Sequence, residues 1–245
     1  MARILFLFCA ISGFLHGRDL ALRISDLDLP LFDEGRLVRR LMAASADVSG
    51  DVSVLKSGTV EFFGPDAAKP ERIGTLTFAD ATYHKAAGVI ESDGPMLLHF
   101  ANGTVAARGF RHELLAGRLL LKSAVVLDFP EARVTGLEGE VLLLQEKKAQ
   151  DMLVSSATIR GDVAITEFKV KEIDGDRLET TAATYTGSDS MLRPASPVSM
   201  WTNGKKTGEA GGKISFRVGG SKLESAISDP PGATPAKATV PPAKP

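Results

Sequence analysis

Cysteine is almost absent from this chain. The one cysteine among 245 residues is Cys9, inside an N-terminal apolar stretch, so the body holds neither an intramolecular disulfide nor a thiolate metal cluster. Aromatic residues are few and lopsided, twelve Phe against one Trp and two Tyr. Charge of neither sign is in excess, with a formal net charge of −1, which argues against a nucleic-acid partner and against an acidic solvating chain. The four histidines, His16, His84, His99 and His112, show neither i, i+4 pairing nor the Cys/His clustering of a metal site. Neither Ser12-Gly13 nor Ser57-Gly58 lies in a G-x-S-x-G elbow. The stretches Gly208 to Gly212 and Gly219-Gly220 lack the Lys-Ser/Thr of a phosphate loop and read as turns. Asp174-Gly175-Asp176 falls in a hairpin loop without the remaining ligands of a calcium loop. No catalytic residue, metal or cofactor is expected, and the chain reads as non-enzymatic.

Helical periodicity is nearly missing as well. A short helix over Gly35 to Ala44 would set Arg36, Arg39 and Arg40 on one face, but a strand over Leu37 to Val48 fits the surrounding pattern better. The charged stretch Gln145 to Met152, with Lys147-Lys148, reads as a solvated loop.

The two ends differ from the body. Arg3 precedes an apolar run from Ile4 to Leu15, a length that fits a signal-peptide core of roughly 7–15 residues better than a spanning helix of about 20. Residues 1–17 are expected to be a signal peptide or, less favoured, a short N-terminal anchor. Bulky Phe6 and Phe8 before Cys9 speak against lipidation there. At the far end, residues 221–245 close on DPPGATPAKATVPPAKP, which has too few large apolar side chains to offset ordering and is expected to be a disordered Pro/Ala/Lys tail.

Between them, over 18–220, a repeat is present. Gly88 follows Tyr83 at the interval at which Gly117 follows His112, and Phe100 follows Gly88 as Phe129 follows Gly117. In a third copy Ala183-Thr184-Tyr185 repeats Ala81-Thr82-Tyr83, Ser190 takes the glycine position, and Trp201 closes one residue early. Degenerate copies run from Leu41 to Phe63 and from Leu153 to Phe168. Each unit reads as a strand with Ala79, Ala81 and Tyr83 on one face and Phe78, Asp80 and Thr82 on the other, then a turn at Gly88, Gly117 or Ser190. A second strand returns through Ile90, Leu119 or Leu192. After a short break come closing segments whose inward side carries Met96, Leu98 and Phe100, or Val125, Leu127 and Phe129, or Val198 and Met200. Asn102-Gly103 and Asn203-Gly204 are the strongest type I′ hairpin signals. The expected fold is all-β: a dozen or more antiparallel strands in an elongated sandwich or jelly roll.

The A-x-A-x-Y strand, the glycine turn and the V-x-L-x-F closing strand resemble the repeat of the LptC/OstA (LptA-like) family of periplasmic lipopolysaccharide-transport proteins. Ser92-Asp93-Gly94-Pro95 through Phe129 is the part most similar to LptC, with Phe32-Asp33-Glu34-Gly35 and Leu41 to Ala44 similar to its opening segment. Gly161-Asp162-Val163 through Trp201 is more similar to an OstA unit. The resemblance implies a V-shaped β-jellyroll (β-taco) in the periplasm that holds lipid A acyl chains on its inward face. The implied partners are lipopolysaccharide, an inner-membrane ABC transporter, and other jellyroll proteins paired edge to edge as a bridge to the outer membrane. Lipid-contacting candidates are Met96, Leu98, Phe100, Val125, Leu127, Phe129, Val198 and Met200. Candidate rim cations for lipid phosphates are Arg108, Arg111, Arg118 and Lys122. The competing expectation is an envelope scaffold that carries no lipid, recognisable by an interior closed with its own side chains.

Overall fold

The computed structural model describes residues 22–66, 68–143, 153–168, 175–211, 213–218 and 225–228. The apolar N-terminal run, the Gln145 to Met152 stretch, Asp174 and the chain beyond Ser228 lie outside them.

The described chain is all-β, as expected. Seven strands follow one another as antiparallel neighbours: β1 (Leu22–Asp33), β2 (Arg36–Ser49), β3 (Val52–Phe63), β4 (Arg72–His84), β5 (Val89–Phe100), β6 (Gly103–Glu113) and β7 (Arg118–Phe129). The next place in the sheet is shared by two shorter strands in line, β8 (Ala132–Gly136) and β9 (Glu138–Leu143), which both lie between β7 and β10 (Val154–Thr166). Beyond β11 (Arg177–Thr186), the strands β12 (Met191–Pro194) and β13 (Val198–Thr202) again divide one place. β14 (Lys205–Ala210) pairs with β13, and β15 (Lys213–Arg217) with β12. The last strand, β16 (Ser225–Ser228), pairs with β15, so the sheet runs past the boundary expected at residue 220.

The repeat is a backbone repeat. Gly88, Gly117 and Ser190 all adopt positive φ, at 62°, 61° and 53°. In each copy the carbonyl of that residue accepts a hydrogen bond from the strand beyond: Leu114 N–H to Gly88 at 2.9 Å, Leu143 N–H to Gly117 at 2.7 Å, and Val218 N–H to Ser190 at 2.8 Å. Glycine meets that conformation at no steric cost. The short break expected after the second strand is a kink within one long strand in two copies, at Asp93-Gly94 in β5 and at Ala124 in β7, and in the third it separates β12 from β13.

These kinks line up. Asp26, Ser57, Ala124 and Asp162 hold φ near 50°, Gly109 and Gly161 hold φ of 79° and 74°, and the ladder registers skip at the same level in every long strand. A bulge bends its strand and shifts the alternation by one. Together they form a crease across the whole sheet, dividing it into two leaves. The first leaf carries the Gly88, Gly117 and Ser190 turns. The second carries the turns at Glu34-Gly35, Ala101-Asn102 and Asn203-Gly204. The shift in alternation keeps a single face inward through the crease: Leu76 and Phe78 are buried before it in β4, Ala81 and Tyr83 after it. Phe78 thus shares the inward face with Ala81 and Tyr83, not the opposite face that unbroken alternation predicts, and Ala79 is exposed.

The leaves close on one another through ring contacts. Phe78 of the second leaf meets Phe110 of the first at a centroid distance of 5.6 Å, Phe62 meets His112 at 5.8 Å, and Phe129 meets Tyr185 at 4.9 Å. Phe168, just beyond β10, meets Phe216 of β15 at 6.0 Å. The closure is skewed: β3 lies against β6, β7 against β11, and the end of β10 against β15, each about three sheet positions along.

One of the two Asn-Gly signals forms the expected turn. Asn203 and Gly204 have φ of 51° and 73° between paired Thr202 and Lys205. The other does not: the tip is Ala101-Asn102, Gly103 already pairs with Phe100, and neither Asn102 nor Gly103 has positive φ. Glycine is needed at 103 for another reason, since a Cβ there would overlap the Asp128 carbonyl oxygen of β7.

Candidate functional site

The candidate site is the interior between the leaves. Strand alternation lines it with apolar side chains from both, and all eight expected inward residues lie there. Met96, Leu98, Val125, Leu127, Phe129 and Val198 are buried, while Phe100 and Met200 are partly buried and pack against that core. Side chains of the two leaves fill the space between them. Leu153, leading into β10, reaches so close to Gly74 of β4 that a Cβ at Gly74 would overlap it.

Opposite the crease the leaves meet at their turn ends. There Asn102 Nδ2 donates to Tyr185 Oη at 2.9 Å, and the Tyr185 ring is flanked by Phe100 at 6.3 Å and Phe129 at 4.9 Å. Tyr185 is the third copy's equivalent of Tyr83 and His112, and all three are buried on the inward face of the first leaf. Burial and the charge of Asp51 raise the Tyr83 hydroxyl above its ordinary range.

No protein-family model matches the chain, and no curated protein matches it. What the interior can do is therefore read from its own residues.

The four expected rim cations do not border the interior. They alternate with inward Phe110, His112, Leu119 and Leu121 and stand on the outer face. Arg111 pairs with Glu91 at 3.1 Å, Arg118 with Glu140 at 2.6 Å, and Lys122 with Asp93 at 2.7 Å. Arg108 is exposed and has no ion pair among the described residues. On alternating strands a residue's face is fixed by its parity relative to the buried set, which excludes these four from the inside.

The cation that does face inward is Arg39. It stands on β2 two residues before buried Leu41, in phase with it, while Arg36 and Arg40 take the other face. The arrangement separates three arginines that a helix would have grouped. Arg40 binds Asp28 across β1, and Arg36 lies 3.8 Å from Asp33. Arg39 is 8% exposed, and its Nε has no hydrogen-bond partner among the described residues. Across the interior His112 is 0% exposed, with neither ring nitrogen partnered among the described residues. Phe62, directly opposite Arg39 in the β2–β3 ladder, connects them through its contact with the His112 ring. Burial holds the Arg39 guanidinium down to about 10, partly offset by Asp33. Burial, then the charge of Arg39, pushes His112 down to about 3, so the imidazole is neutral.

Smaller groups are accounted for structurally. Asp176 accepts the Asn203 N–H at 2.8 Å and so braces a turn, while Asp174 lies outside the described residues. His84 sits 3.1 Å from Glu91. Among the described residues no group of three or more His, Cys, Asp or Glu is placed to hold a metal ion.

Among the described residues both flanks of the sheet are open: β1 pairs only with β2, β14 only with β13 and β16 only with β15, and neither β1 nor β14 contains a buried residue. Ile24, Leu27, Leu29 and Leu31 of β1 are half-buried against the core, leaving an apolar edge with unpaired backbone groups.

Proposed function

We propose that this chain is a periplasmic lipopolysaccharide-transport component of the LptC/OstA kind, which takes lipid A acyl chains between its leaves. It would also link an inner-membrane ABC transporter to further jellyroll proteins through edge-strand pairing. The supporting observation is architectural. A single antiparallel sheet, creased down the middle, presents one apolar face to itself and, among the described residues, leaves a backbone edge free at each flank. Acyl chains gain about 0.8 kcal/mol per methylene on leaving water, and a free edge can add a strand from another protein. The backbone ladders run on through the crease and none among the described residues joins the leaves face to face, so the two can part about the crease by giving up side-chain contacts such as the Asn102–Tyr185 bond.

The competing role, an envelope scaffold that carries no lipid, is favoured by the filled interior. Leu55, Val60, Leu76, Leu98 and Leu127 are wholly buried by neighbouring side chains. Photo-crosslinking separates the two. A benzophenone side chain placed in cells at Leu98 or Phe129 is expected to capture lipopolysaccharide, and one at outward Arg108 is not. No adduct from either inward position, with the strand circular dichroism intact, would leave the scaffold role standing. Depletion gives a second readout, because lipopolysaccharide accumulates at the inner membrane only if the chain transports it.

A further inference from the structure

The interior holds one polar feature that neither transport of acyl chains nor packing explains. Arg39 and His112 arise on different leaves, converge on Phe62, and have no hydrogen bond among the described residues through Arg39 Nε or either imidazole nitrogen. A buried cation or polar group without a partner is costly, so such groups in folded proteins normally have one. Two other buried nitrogens, Arg133 Nε and Trp201 Nε1, also lack a partner among the described residues, but each is isolated, and the other nitrogens of Arg133 bind Asp128 and Glu167 at 2.8 Å each. Asp33, the acid whose charge reaches Arg39, is half exposed beside Arg36 and forms no hydrogen bond to Arg39 among the described residues.

Packing alone would place an aromatic residue at 112. Tyr stands at both equivalent positions, and Tyr185 finds its partner in Asn102. A histidine there adds two nitrogens that the protein itself does not satisfy. A guanidinium and a neutral imidazole together offer several N–H donors, and the imidazole also offers one acceptor. A phosphate monoester fits that set, since its several oxygens accept and its monoanion carries one O–H to donate.

We infer that Arg39 and His112 form an internal subsite for a phosphate monoester, positioned so that an attached apolar chain continues along the interior. The inference rests on the proposed lipid carriage and assigns to it the headgroup end of the ligand. The surroundings favour a phosphate borne by an apolar molecule: Phe62, Leu41 and Val60 are the neighbouring inward residues on β2 and β3.

The test compares phosphatidic acid and diacylglycerol of matched chains in neutral detergent micelles, with inorganic phosphate as a third probe, on the full chain. Affinity and the thermal midpoint are both read. The wild type is expected to bind phosphatidic acid about tenfold or more tightly than diacylglycerol. Arg39→Met and His112→Phe should each bring that ratio close to one while retaining diacylglycerol binding. His112→Phe keeps an aromatic ring where the repeat has tyrosine, so it serves even if Arg39→Met does not fold. Equal binding of both lipids by the wild type, or a preference that survives both substitutions, overturns the subsite and leaves lipid carriage intact. Binding of neither lipid overturns carriage. In that case a midpoint raised by inorganic phosphate only when Arg39 is present would retain the subsite with free phosphate as its ligand, and no rise would overturn it too.

Discussion

Asn102 and Tyr185, 83 positions apart in sequence, are joined by a hydrogen bond of 2.9 Å that ties a turn of the second leaf to a strand of the first. It fastens the mouth of the folded sheet on the side away from the crease. A net contribution of about 1 kcal/mol is expected for such a bond.

Tyr185→Phe should therefore lower unfolding free energy by about 1 kcal/mol in urea melts, and Asn102→Ala by a similar amount. The double variant should lose little more than either single one. Amide exchange should rise around the turns at 101–102 and 187–190 before it rises at the crease. Additive losses would show that the two residues act separately.

Gly58 and Phe78 give a second prediction. The Phe78 ring lies over Gly58 so closely that a Cβ there would overlap it. Gly58→Ala should cost roughly 1–3 kcal/mol through overpacking. Combining it with Phe78→Leu should recover part of that loss, measured as a coupling energy in a double-mutant cycle.

His112 predicts a dependence on pH. It is held neutral in the fold, down to about 3, whereas unfolded histidine titrates near 6.5. Between those values the unfolded chain binds one more proton than the folded chain. Its contribution is thus fully present above about pH 6.5 and is lost as pH falls, by up to about 1.4 kcal/mol per unit. Urea melts at pH 7 and pH 4.5 should show the wild type losing about 2 kcal/mol more than His112→Phe. Equal losses would place a charged or solvated imidazole in the fold.

The outer-face cations predict a small effect. Arg118 and Glu140 form a part-exposed pair on the solvent side of β7 and β9. Arg118→Ala should leave the urea midpoint close to that of the wild type, because an exposed pair is screened by solvent. It should also leave any lipid crosslink from Leu98 unchanged, because its side chain does not enter the interior.

The strand-turn-strand unit was legible in the sequence because it depends on local features: positive φ at Gly88, Gly117 and Ser190, and alternation on either side. The crease was not. A bulge residue such as Ala124 or Ser57 bears no compositional mark, yet it shifts every later side chain by one face. That is why Phe78 was expected opposite Tyr83 and lies beside it. Asn102-Gly103 misled for a related reason, since its glycine answers to the close approach of Asp128 rather than to a turn. Arg39 falls within the strand expected over Leu37 to Val48, and extending the alternation of Leu41 and Ala43 backwards along it places Arg39 inward. Its meeting with His112 depends on the skew between leaves, which no local pattern encodes. The grouping of Arg108, Arg111, Arg118 and Lys122 at a rim failed because nearness along two adjacent strands says nothing about which face they share.

That skew also bears on how the chain comes to be folded. Phe62 gains its ring partner only after β4, β5 and β6 exist, and Phe129, already against Phe100, meets Tyr185 only after β11. Each new hairpin emerges with its apolar face uncovered and waits for a strand three places later. Closure thus depends on contacts distant in sequence, the kind that slow folding and prolong exposure of sticky surface. The apolar face that serves the finished protein is, during synthesis, the one most in need of a chaperone.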